Sequence, residues 1–172
     1  MNKNVSMTKR LCRAGIIAAL YVALTYAFAP FAFGPFQFRP AEALCVLPLF
    51  FPEAIPALYV GCMLSNLASP YFVYDVFLGS LISLFAAFGS YLVGRFFKKD
   101  GVRILLGGLF PVLLNALFIP LIIVFLCGGG EGYANAFTAY AFFFGSLFLT
   151  QAVWVYALGT PLYFGAKRLL KR

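Results

Sequence analysis

The chain has 172 residues, 63% of them hydrophobic and 10% charged, with a mean hydropathy of +0.95. A soluble domain carries roughly 25% charged residues, so there is too little polar surface to cover a water-soluble globule. The formal charge is +8, and the absence of histidine leaves zinc, haem and histidine-based catalysis little to build on.

The pattern predicts an all-α, polytopic membrane protein, a single transmembrane domain over residues 1–172 with six spans. The apolar runs are continuous rather than alternating, which argues against a barrel. The first helix is expected from Thr8 to Ala29. Its basic start and Ala27-Phe28-Ala29 resemble a secretory leader. The apolar run from Leu11 to Ala29 exceeds the roughly 7–15 residues of a leader core, however, so it reads as a retained helix. Proline and glycine between Pro30 and Pro35 break it. A short second helix follows from Pro40 to Pro52, tilted or only partly spanning, and a third from Glu53 to Ala68, stopped by Ser69-Pro70. The fourth runs from Asp75 to Phe97. Lys98-Lys99-Asp100-Gly101 is a polar turn. The fifth runs from Arg103 to Cys127, with kinks expected near Pro111 and Pro120. A glycine loop spans Gly128 to Gly132. The segment from Tyr133 to Lys171 is too long for one span and divides into an interfacial piece to Phe144 and a sixth helix from Gly145. No internal repeat is evident.

Six spans place Lys3, Lys9, Arg10, Arg13, Arg95, Lys98, Lys99, Arg103, Lys167, Arg168, Lys171 and Arg172 on one side, and only Arg39 on the other. This is a positive-inside pattern, with both termini cytoplasmic. The basic charge therefore encodes topology, and no nucleic-acid partner is expected. Cys12, Cys45, Cys62 and Cys127 are scattered in apolar context without a C-x-x-C pair, and read as small buried hydrophobes. No metal site and no cofactor are expected.

The outer half gathers the remaining polar residues. Gln37 and Arg39 lie by the first outer loop, Glu42 early in the second helix, Asn66 near the end of the third, Asp75 at the start of the fourth and Glu131 in the last loop. Asn115 and Gln151 lie one or two turns deeper. An outward-facing polar cluster in a small bundle suits a polar or cationic solute. Each residue also has a structural reading. Glu42 can complement the helix dipole or pair with Arg39. Asp75 can cap its helix. Asn66, Asn115 and Gln151 can hydrogen-bond neighbouring helices. Arg39 can snorkel, Glu131 can be a solvated loop residue, and Glu53 can start its helix. Trp154, Phe36, Phe38 and Tyr74 are placed to stack on a flat ring. In the first helix, Ala14, Gly15, Ala18, Ala19, Ala23 and Ala27 form small-xxx-small spacings that allow close approach of another helix, within the bundle or from a separate subunit.

The stretch from AALYVALTYAFAPFAFGPFQFRPAEALCVLPLFFPEAIPALYVGCMLSNL to YDVFLGSLISL resembles the QueT family, with a weaker match at VYALGTPLYF. These are substrate-binding S components of energy-coupling factor (ECF) transporters, assigned to queuosine precursors. The resemblance implies a six-helix fold in a bacterial cell membrane, with a ligand site near the outer face capped by the loop between the first two helices. It implies a deazaguanine-like small-molecule substrate, a transmembrane coupling protein and two ATP-binding-cassette ATPases. G-I-I-A-A at Gly15–Ala19 is similar to the A-x-x-x-A docking motif of S components, with Gly15 in place of the first alanine. No G-x-x-x-x-G-K-[ST] occurs, so ATP hydrolysis is expected on another chain. A stand-alone secondary transporter, with the outer carboxylates carrying coupling cations, and an S component for another vitamin are the alternatives. An intramembrane enzyme lacks a nucleophile–base pair or a metal set.

Overall fold

In the computed structural model, residues 6–34, 36–129 and 131–171 are described. Lys3 and Arg172 of the predicted basic side lie outside them. The described residues form helices joined by short turns, without strands. Four helices are long and apolar enough to cross a membrane: α1 (Met7–Ala27), α3 (Phe72–Phe96), α4 (Asp100–Leu126) and α5 (Ala136–Leu170). Two shorter apolar helices complete the bundle, Pro40–Leu49 and α2 (Ala54–Ala68). The chain is an all-helical membrane protein.

Pro40–Leu49 is a 3-10 helix in which every residue is buried. It has proline at its first position and Pro48 inside it. Neither proline can donate a backbone hydrogen bond. The segment sits at the centre of the molecule, touching α1, α2, α3, α4 and α5. The expectation of a short second helix was therefore right in length, and the helix is a core element of the bundle. Lipid tails are as apolar as leucine, so close packing rather than burial from water must hold the helices around it. Gly94 on α3 illustrates this. A Cβ there would meet the carbonyl oxygen of Leu49, and would lie 2.7 Å from its Cα. At the α1–α2 crossing, a Cβ on Gly61 would sit 3.0 Å from Cβ of Tyr21 and 3.2 Å from the backbone oxygen of Ala18.

Two boundaries differ from the sequence expectation. α5 does not divide at Phe144–Gly145; it runs continuously from Ala136. Asn135 caps it, accepting from the Thr138 amide at 2.8 Å, and an interior glycine costs only about 1 kcal/mol. A π-helical turn at Val153–Leu158 lies within it. α3 begins at Phe72 rather than Asp75, so Asp75 is not its cap. Its backbone N–H already donates to the Tyr71 carbonyl, and it opens a π-helical turn, Asp75–Gly79. A third π turn, Ile122–Leu126, follows Pro120 in α4.

The charged residues tie one end together. Arg13 of α1 pairs with Glu53 at 2.6 Å, beside the ring of Phe51. Asp100 accepts from Lys167 and from the Tyr163 hydroxyl, joining α4 to α5. The Arg103 guanidinium donates to the Leu49 carbonyl and lies 4.8 Å from the Phe50 ring centre. These contacts bring the basic residues of α1, of the α3–α4 turn and of the end of α5 to one end of the bundle. Arg39 lies away from them.

Candidate functional site: a closed polar cavity

A polar cavity lies among the 3-10 helix, α2, α3, α4 and α5. Gln37, Arg39, Glu42, Asn66, Asp75, Asn115 and Gln151 all line it, with Cys62, Gly79, Ser83 and Ile119. Seven of the twelve residues that the sequence singles out for a substrate are thus brought together from five elements and one loop. The other five lie elsewhere, Phe36 being exposed with its ring edge-on to Phe142. Tyr74 is exposed on α3, Glu131 is exposed in its loop, and Trp154 packs edge-on against Phe38, ring centres 4.4 Å apart. The Trp154 Nε1 is buried without a partner.

Glu42 is almost wholly buried. The Tyr21 hydroxyl donates to its Oε1 at 2.7 Å; the Cys45 thiol and Asn115 Nδ2 approach its Oε2 at 3.3 and 3.5 Å. Tyr21 belongs to α1, where Ile17, Tyr21 and Thr25 form the buried face at a spacing of four. That inward spacing, with a hydroxyl in its middle, was the sequence signal for Tyr21, and sequence reasoning passed over it. Arg39 does not snorkel. It is buried, its Nε donates to the Ala32 carbonyl at 3.0 Å and its guanidinium lies over the Phe33 ring. Nor does it pair with Glu42: among the described residues the ion pairs are Arg13–Glu53 and Lys167–Asp100.

Asp75 and Asn66 form a second group. The Ser69 hydroxyl donates to Asp75 Oδ2. Asn66 Nδ2 donates to the Asp75 backbone carbonyl at 2.7 Å. The π turn places Gly79 beneath them, where a Cβ would lie 3.2 Å from Asn66 Nδ2. Such single π turns within α-helices recur at functional sites. Three acceptors are left over: Asn66 Oδ1, Asp75 Oδ1 and Gln151 Oε1 are buried and have no hydrogen-bond partner. Each orphaned acceptor costs about 1–3 kcal/mol. All three belong to residues that line the cavity.

The free space at the centre is about 10 Å³, room for roughly one water. The site is therefore closed on itself. A second cavity of about 100 Å³ adjoins it, sharing Gln37 and Asp75 and extending to Phe33, Gly34, Ser69 and Tyr71. It leads towards the loops at the end opposite the basic cluster. Gln37 stands between the two with φ of 39°, a left-handed backbone that costs a non-glycine residue about 1–2 kcal/mol.

The docking candidates of α1 divide by exposure. Ala14 and Ala18 pack against the core formed with α2 and the 3-10 helix, whereas Gly15, Ala19 and Ala23 are exposed. The same helix thus presents a small-residue stripe outward and the Glu42 partner Tyr21 inward.

The family model for the QueT transporter matches residues 11–168. The chain belongs to the QueT transporter family. No curated protein and no solved structure matches it. As a QueT family chain, it is a membrane transport protein for a small substrate.

Proposed function

We propose that the chain is the substrate-binding S component of an ECF importer and captures a 7-deazaguanine precursor of queuosine, in its aminomethyl or nitrile form, from outside the cell. The observation that carries this reading is the set of three buried, unpartnered acceptors, Asn66 Oδ1, Asp75 Oδ1 and Gln151 Oε1, beside Glu42 and Arg39. A guanine-like edge offers adjacent N–H donors, which a carboxylate accepts in bidentate fashion. Its carbonyl needs a donor, which Arg39 or Asn115 supplies. An aminomethyl cation balances a cavity with two carboxylates against one guanidinium. Binding requires the closed cavity to widen, and the loop through Gln37, strained and shared with the outer cavity, is the element that yields.

In this reading the chain spans a bacterial cell membrane six times with both termini cytoplasmic. The exposed Gly15, Ala19 and Ala23 of α1 meet a transmembrane coupling protein that works with two ATP-binding-cassette ATPases. ATP is hydrolysed on those subunits, and this chain is not an enzyme. The test is expression of the tagged chain with its candidate partners. Co-purification of the ATPases, and ATP-dependent uptake of the aminomethyl-deazaguanine by proteoliposomes, are the expected results. Uptake that persists without any ATPase would overturn the S-component assignment and favour a stand-alone transporter.

A further inference from the structure

An apolar groove of about 840 Å³ runs along the hairpin of α3 and α4. It extends from Leu78 through Phe85 to Leu92 on α3 and from Phe110 through Phe118 to Leu126 on α4. Its floor is set at Gly89, where any Cβ would strike the Phe110 ring. Fourteen residues of helix separate Leu78 from Leu92, about 21 Å at 1.5 Å per residue. That is longer than half of the roughly 30 Å hydrocarbon core, so the groove accepts the full length of one acyl chain.

The groove's positive charge lies at one end. The α3 lining recurs every three or four residues, and the next position on that face beyond Leu92 is Arg95; the helix ends at Phe96, and Lys98 and Lys99 follow in the turn to α4. Arg95, Lys98 and Lys99 are all exposed. Arg95 is held towards Tyr91, its Nη1 donating to the hydroxyl at 3.2 Å. Of the other cations of this end, Arg103 contacts Leu49, Lys167 Asp100 and Arg13 Glu53, while the exposed Lys9 and Arg10 belong to α1 and the exposed Arg168 to α5, away from this hairpin in sequence. Asp100, the acid adjoining Arg95, Lys98 and Lys99, is taken by Lys167 and Tyr163. Three exposed cations with no acidic partner among the described residues thus follow directly on the α3 wall of an apolar groove one acyl chain long. Basic clusters between transmembrane helices attract anionic headgroups.

We infer that the α3–α4 hairpin is a binding site for an anionic phospholipid, with one acyl chain along the groove and the phosphate at Arg95, Lys98 and Lys99. The occupant is a lipid of the leaflet at the basic end. This site is separate from the polar cavity, and it stands whatever that cavity carries. The experiment is native mass spectrometry of the purified full chain, exchanged into equal amounts of dioleoyl-phosphatidylglycerol and dioleoyl-phosphatidylcholine. Wild type should retain phosphatidylglycerol with about a tenfold preference, and Arg95→Gln/Lys98→Gln/Lys99→Gln should bring the ratio close to one. A photo-crosslinking residue at Phe85, exposed on the groove wall, should yield a phospholipid adduct in native membranes. Equal retention of the two lipids by wild type would overturn the inference, as would a preference that survives the triple substitution. An adduct at Phe85 to another polypeptide or a second copy of this chain, in place of lipid, would overturn it equally.

Discussion

The two ends of the bundle handle buried polarity in opposite ways. At the basic end the carboxylates are paired, Glu53 with Arg13 and Asp100 with Lys167 and Tyr163, and Arg103 reaches the Leu49 carbonyl although its Nε is buried without a partner. At the other end Asn66, Asp75 and Gln151 each keep an acceptor with no partner, and Arg39 faces two carboxylates without pairing with either. Both ends contain cations and carboxylates, so composition does not separate them. What separates them is the carboxylates: Glu53 and Asp100 are ion-paired, whereas Glu42 and Asp75 are not. Paired groups clamp helices together, while an orphaned buried acceptor costs stability and, in the proposed reading, is satisfied by the ligand.

That contrast predicts which substitutions strike binding and which strike the fold. The largest effect belongs to Glu42→Ala. Removing a buried, hydrogen-bonded charge costs a complex about 2–5 kcal/mol, so calorimetric affinity for aminomethyl-deazaguanine should fall by about 30-fold to a few thousandfold, while the chain remains folded and inserted. Unchanged affinity would remove Glu42 from the site. Asp75→Asn keeps the shape but removes the charge, and should weaken the aminomethyl compound more than the neutral nitrile, by about tenfold; an equal loss for both would assign Asp75 to the ring edge instead. Gly94→Ala tests the structural half. It drives a methyl into the Leu49 backbone and should lower stability in detergent by about 1–3 kcal/mol, read as an earlier thermal midpoint. Tyr21→Phe deletes one hydrogen bond to Glu42, worth about 0.5–1.5 kcal/mol. Affinity should drop up to about tenfold with little change in melting. Smallest of all, Arg13→Gln breaks a part-exposed ion pair worth at most about 1 kcal/mol, and should leave ligand affinity untouched. A binding defect there would erase the distinction between the two ends.

Much of this arrangement was legible in the sequence because polar residues in an apolar chain are conspicuous. Gln37, Arg39, Glu42, Asn66, Asp75, Asn115 and Gln151 stood out by chemistry alone, and the structure brings them to one cavity. Tyr21, Cys62 and Ser83 did not stand out. Tyrosine, cysteine and serine are at home in any membrane helix, where a hydroxyl can bond its own backbone, as Thr25 does to the Tyr21 carbonyl. Tyr74, Glu131 and Trp154 were selected by residue type and position near the outer face, but helix phase turns Tyr74 outward and loop geometry leaves Glu131 exposed. The 3-10 and π turns were invisible as well. They shift the register by a fraction of a turn, and no residue pattern announces that shift. Asp75 is the clearest instance. A carboxylate after a proline–aromatic loop reads as a cap, yet the helix begins three residues earlier and carries Asp75 into the cavity wall.

The central claim is that the orphaned acceptors await a donor-rich deazaguanine. Calorimetric titration of the purified, detergent-solubilised chain with aminomethyl-deazaguanine, its nitrile analogue and guanine tests it most directly. The account predicts tight binding of a deazaguanine, with Kd on the order of nanomolar, about −12 kcal/mol, and much weaker binding of guanine, without any partner subunit present. No heat with any of the three compounds would contradict it.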